Sequence, residues 1–216
     1  MGEHESWAAV DFRRVGIFLA FAFGIAWATS LIMYATGGLT DSPTLIPGTP
    51  ITVALVLVAT LYMWAPAVAH VLTRIVTREG WSDVYLRPHL RRSWKVWLAA
   101  WFGPALLVFM GAAIFFALFP QFFDPSLSGF REQLTEFEQQ GGDPIPLDPA
   151  ILVAILILSA VLFAPAINSL FTFGEEFGWR AYLLPRLMPM GGRRALILTG
   201  VIWGVWHWPI IAMGHN

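Results

Sequence analysis

Residues 149–180 read PAILVAILILSAVLFAPAINSLFTFGEEFGWR. The apolar part is longer than the ~20 residues that cross a bilayer as a helix, and it runs directly into Glu175, Glu176 and Arg180. Ionisable groups at the edge of a membrane segment are costly, so by default they mark a functional site. If the segment stays helical, Glu176 and Arg180 are four apart and pair along one face. Glu175 lies about 100° round from Glu176 and is left without that partner. Gly174 and Gly178 flank Glu175 on its own side, where they let another helix come close. The competing reading is a helix end with ordinary interfacial charges.

The rest of the composition sets this segment in a polytopic membrane protein. Of 216 residues 57% are hydrophobic and only 12% charged, with eleven Trp and seventeen Phe. The fold class expected is all-α: a bundle of about five transmembrane helices. A polar tail, residues 1–14, precedes a single membrane domain, residues 15–216, with spans at about 15–35, 51–72, 96–119, 149–173 and 195–213. Pro66 and Pro104 are expected to kink the second and third spans, since proline removes a backbone donor. His70 reads as an interfacial or hydrogen-bonded residue rather than a ligand. Residues 129–140 are expected to form a short surface helix, and residues 181–194 a short amphipathic piece on the membrane surface followed by a turn.

Charge orients the bundle. Twelve of the thirteen Lys and Arg fall in the N-terminal tail, the 73–95 segment and the 180–194 segment; only Arg131 falls elsewhere. Those are alternate connections. The excess of Lys and Arg in cytoplasmic loops puts the N-terminus inside, and Glu175 and Glu176 at the cytoplasmic end of the fourth span. Basic residues interleaved with Trp81, Tyr85 and Trp94 read as a loop with interfacial anchors, not a nucleic-acid surface.

Cysteine is absent, which removes disulfides, thiol nucleophiles and Cys-based zinc sites. The nucleophile is therefore water, Ser or Thr, or a carboxylate. HExxH and Gly-x-Ser-x-Gly are both missing. His207, in Trp203-Gly-Val-Trp-His207-Trp-Pro209, is the second polar group set in an apolar run. Two antiparallel neighbours joined by a short connection can set His207 opposite Glu175. Such a pair can hold one water, with the Glu accepting a proton and the His fixing or polarising the water. A metal could bind the Glu pair and His207, but Arg180 beside them argues against a dication.

Glu175-Glu176-x-x-x-Arg180 followed by Trp203-x-x-x-His207 resembles the CPBP family, the CAAX-protease and bacteriocin-processing family of intramembrane endopeptidases, also called Abi proteins. Its second motif is usually Phe-x-x-x-His, and Trp203 stands here in place of the Phe. The resemblance extends over roughly residues 50–216. It implies that Glu175 and His207 activate water for peptide-bond hydrolysis and that Glu176 and Arg180 are an orienting pair. It also implies a peptide or lipidated protein substrate and, for a bacterial member, the plasma membrane, with the site towards the cytoplasm. Relatives are often labelled metalloproteases; a glutamate-dependent mechanism needing no cofactor fits these residues better, with a divalent metal such as zinc, held by Glu175 and His207, as the alternative. The family's third motif, His-x-x-x-Asn or Asp, is not met before Asn216. The sequence thus looks like a five-span piece of a larger fold, expected to be inactive or weakly active alone. Two other functions share the scaffold: a non-catalytic immunity or partner-binding protein, and a transporter using Glu175 as an ion site.

Overall fold

A computed structural model of the chain describes residues 10–84 and 86–214. Most of the tail at 1–14, Tyr85 and the His215-Asn216 pair lie outside the described residues. Among those described there is no strand, only an isolated bridge between Thr44 and Thr52. The chain is an all-α membrane protein. Its helices are α1 (Phe12–Ala35), α2 (Val53–Leu57), α3 (Ala65–Thr77), α4 (Leu90–Leu118), α5 (Ser128–Gln139), α6 (Pro149–Leu162), α7 (Ala164–Gly178), α8 (Leu184–Leu187) and α9 (Gly192–Ala212). Four segments are long and apolar enough to cross a membrane: α1, residues 53–77, α4 and α9. The broken run from α6 through Met190 supplies a fifth if counted as one span.

Two compact units divide the chain, Met1–Leu86 with Ser169–Asn216, and Arg87–Asn168. In the second unit α4 and α6 have no buried side chain. Helices that are apolar all round and present Leu, Ile and Phe outward are stable only in an apolar medium. Within this unit the Trp101 indole N–H donates to the Val161 carbonyl at 3.1 Å. Asp148 caps α6 by accepting from the Ala150 N–H, and Pro149 takes the first helical position, where no donor is missed.

The first unit holds the packed core. Phe18, Ala22, Ala26 and Met33 of α1 are fully buried, as are Tyr62, Tyr182, Leu183, Leu187 and Trp206. The region 181–194 does not leave all its apolar residues free to face a membrane. Tyr182 stacks on Phe18 with ring centroids 5.0 Å apart, and Leu183 and Leu187 have no exposure. Its apolar residues close the core instead, because a π-helical segment, Trp179–Leu183, and a short 3₁₀ turn, Met188–Met190, turn them inward.

Several boundaries depart from expectation for identifiable reasons. The break in the second span precedes Pro66: a π-helical segment, Val58–Tyr62, gives way at Met63 and Trp64 to α3, with Pro66 in its first turn. Proline is tolerated there because first-turn donors have no helical acceptor. The span also runs to Thr77, so Arg74 is helical and buried rather than part of a loop. α4 runs through Pro104, and its one non-helical interior residue is Ser93. The fourth span breaks at Phe163, just ahead of Pro165, so Glu175 and Glu176 lie inside α7 rather than past its end.

The contact that positions α7 is made by its glycines. A methyl group on Gly174 would sit 2.5 Å from the Met63 carbonyl oxygen, and one on Gly178 2.3–2.6 Å from Pro66. The helix thus lies backbone to backbone against the break in the second span. Gly200 and Gly204 on α9 have nothing within 4 Å of the corresponding position.

A polar cluster ties the same end of the unit together. Arg74 ion-pairs with Asp83 at 2.8 Å and donates to the Gly80 carbonyl. The nearly buried Glu79 accepts from the Thr77 hydroxyl at 2.7 Å, the Tyr182 hydroxyl at 2.8 Å and Arg186, with Arg14 3.4 Å away. Burial alone would raise the Glu79 carboxyl, but these hydrogen bonds and the Arg186 charge hold it below the usual carboxylate range.

Two outcomes follow. Gly178→Ala and Gly174→Ala should each lower stability by about 1–3 kcal/mol through overpacking, read as thermal unfolding in detergent. Gly200→Ala and Gly204→Ala should be neutral or stabilising, by up to ~1 kcal/mol from helix propensity. Because the folded Glu79 carboxyl lies below its ordinary value of 4.5, its contribution is present above that pH and lost as pH falls through the folded value. Glu79→Gln should therefore be less stable at neutral pH, by about 3 kcal/mol, and should lose less stability on acidification than the unsubstituted protein.

Candidate active site

α7 and α9 carry the residues singled out in the sequence, and residue 203 joins them. The Trp203 indole N–H donates to Glu175 Oε2 at 2.8 Å. The Trp203 carbonyl is 2.9 Å from His207 Nδ1. A carbonyl can only accept, so that nitrogen carries the ring hydrogen and Nε2 keeps its lone pair. The Trp203 and His207 rings meet edge to face, with centroids 5.0 Å apart. His207 is also near enough to Glu175 for the two side chains to interact electrostatically. One residue thus holds the carboxylate through its side chain and the imidazole through its main chain.

Glu176 and Arg180 form the expected i,i+4 ion pair. The pair is well exposed, 49% and 63%, so its contribution to stability is small, about 0–1 kcal/mol. Glu175 is half-buried and turned away from that pair to Trp203. The spacing argument therefore describes the local geometry: one acid is held by a cation, the other by a neighbouring helix.

In the sequence Trp203 is only the aromatic standing where the family has Phe. A Phe could not donate to Glu175; the indole can. The signal was present in the sequence as a departure from the motif, but its meaning depends on which way the ring points. Tyr62 is a second residue that sequence reading missed. Its hydroxyl donates to the Trp206 carbonyl at 2.8 Å, its ring lies 6.4 Å from that of His207, and the Glu175 charge reaches it. Nothing in the run around Tyr62 sets it apart from the other aromatics of the span.

The donor set bears on a metal. Glu175 Oε2 already accepts from Trp203, Glu176 is paired with Arg180, and His207 offers only Nε2. Among the described residues no group of three or more His, Asp or Glu is arranged to hold an ion. Among the described residues, the three protein ligands of a catalytic zinc are thus not assembled.

Comparison with known proteins places these residues in context. Residues 150–214 match the family model described as type II CAAX prenyl endopeptidase Rce1-like. The CAAX prenyl protease 2 of Methanococcus maripaludis is 30% identical over 88 residues, which is 40% of this chain and 28% of that protein. The match therefore spans less than a third of that relative's length. No solved structure matches the chain. Glu175, Glu176, Arg180, Trp203 and His207 all lie inside the matched segment, so the part of the chain that carries them is similar to the type II CAAX prenyl endopeptidases.

Proposed function

We propose that the protein hydrolyses a peptide bond of a membrane-associated substrate, using a water activated by Glu175 and His207. The observation that carries this reading is the shared attachment to Trp203, which holds the carboxylate and sets the His207 tautomer. Glu175 removes one proton from the water as the oxygen attacks the peptide carbonyl carbon. The His207 Nε2 lone pair accepts a hydrogen bond from the water's other O–H, which stays on the oxygen, and so aims the water. Glu175 then returns its proton to the departing nitrogen as the C–N bond breaks, giving a carboxylic acid and an amine. No protein acyl intermediate forms, and no metal is required. Glu176 and Arg180 orient the turn on which Glu175 sits.

The substrate class proposed is a lipidated or membrane-anchored peptide, approached from the cytoplasmic side of a bacterial plasma membrane. The side follows from the distribution of Lys and Arg and the class from the family.

The test is cleavage of a prenylated peptide by the purified chain in liposomes. Glu175→Gln and His207→Ala should each lower kcat by about 10²–10⁴-fold with the thermal unfolding transition in place, and a zinc chelator should leave the rate unchanged. Cleavage that survives both substitutions would refute the assignment. Cleavage abolished by the chelator and restored by zinc would refute the metal-free mechanism. A membrane phenotype indifferent to both residues would favour the non-catalytic immunity reading.

A further inference from the structure

Beyond the residues of the two motifs, the second span reaches both arms of the site through buried side chains. Tyr62 is 1% exposed and His70 fully buried. The Tyr62 hydroxyl donates to the Trp206 carbonyl, next to His207, at 2.8 Å. The Trp27 indole donates to the same carbonyl at 3.3 Å. This carbonyl adjoins that of Val205, four residues before Pro209, which the proline leaves without its helical donor.

His70 does the same for the other arm. Arg74 Nε donates to His70 Nε2 at 2.6 Å. Arginine has no acceptor, so Nε2 must accept and Nδ1 carries the hydrogen. That hydrogen points to the Phe177 carbonyl, 2.9 Å away and two residues from Glu175. α7 gives way to the π-helical segment Trp179–Leu183 just beyond. A switch from i,i+4 to i,i+5 bonding leaves a carbonyl near the switch short of its helical donor. The His70 ring is packed between Phe177 and Tyr182, at centroid distances of 4.3 and 4.7 Å.

Resting on the hydrolytic reading above, we infer that Tyr62 and His70 are positioning residues that set the gap between Glu175 and His207, each by donating to a main-chain carbonyl beside one of them. Neither touches the reacting atoms. Both sit on one span, so the distance between the two arms is referred to a single template. The glycine contacts at 174 and 178 leave α7 no slack to absorb an error.

The experiment compares Tyr62→Phe, His70→Phe and His70→Asn with the unsubstituted chain in the liposome assay, alongside amide hydrogen exchange by mass spectrometry. Each Phe variant keeps ring packing and loses the donor. Both should lose at least about tenfold in kcat, as a misplacement of about an ångström does, with KM changed by less than about twofold. His70→Asn keeps a donor near the Nδ1 position and should recover most of its loss. Exchange should rise at 203–210 in Tyr62→Phe and at 174–183 in His70→Phe, and nowhere in α1. Unchanged kcat in Tyr62→Phe, a loss carried by KM, or His70→Asn no better than His70→Phe would overturn the inference; if His70→Phe does not fold, Tyr62→Phe decides alone. Should the unsubstituted chain show no Glu175-dependent cleavage, the hydrolytic reading fails by itself. The exchange pattern then decides whether the two bonds hold those carbonyls.

Discussion

The contact between Gly174 and Gly178 and the backbone of Met63–Pro66 is the constraint on which the site depends. Helices with ordinary side chains pack 8–10 Å apart, and only glycine lets two backbones touch. In a membrane this closeness is the main source of attraction between helices, since lipid already satisfies apolar side chains. Here it also defines position. α7 lies with these two glycines against the break at residues 63–66, where a side chain at either position would clash. Glu175 stands on the turn between them.

The irregular backbone is part of the same device. Two π-helical segments, at 58–62 and 179–183, and Pro209 inside α9 each disturb a helix close to a residue of the site. In water such disturbances would be hydrated. In an apolar medium the carbonyls near them need protein donors. His70, Tyr62 and Trp27 supply those donors, so places that would be weak points become fixed points. The same logic sets the ring of His207, whose Nδ1–H is used by its own helix at the Trp203 carbonyl.

Charge is handled differently at the two levels of the first unit. Glu79, Arg74, Asp83, Arg186 and Arg14 form a cluster in which Arg74 and Glu79 are almost without exposure. Charges so buried persist only when paired and hydrogen-bonded; Arg74 and Glu79 are each paired, although Arg74 Nη2 makes no hydrogen bond, and Glu79 also holds Tyr182. Glu175, in contrast, keeps part of its surface open and has a neutral indole rather than a cation as its direct partner. A carboxylate held in this way is oriented by a hydrogen bond rather than by a cation.

Much of this was legible from residue order. Apolar runs longer than the bilayer core announced the spans, because such runs have no other stable environment. The i,i+4 pairing of Glu176 with Arg180 and the small-residue face of Gly174 and Gly178 followed from helical periodicity, a local property of the chain. Even Trp203 in place of Phe was visible, though not its use. What only the tertiary structure decided was the partner of each group: that the glycines meet Met63–Pro66, that Trp203 reaches Glu175, that Arg74 is buried rather than in a loop, and that His70 and Tyr62 donate to carbonyls more than 100 residues away. Periodicity says which face of a helix a residue occupies. It carries no information about which helix that face meets, or how far along its axis, and those are fixed by packing.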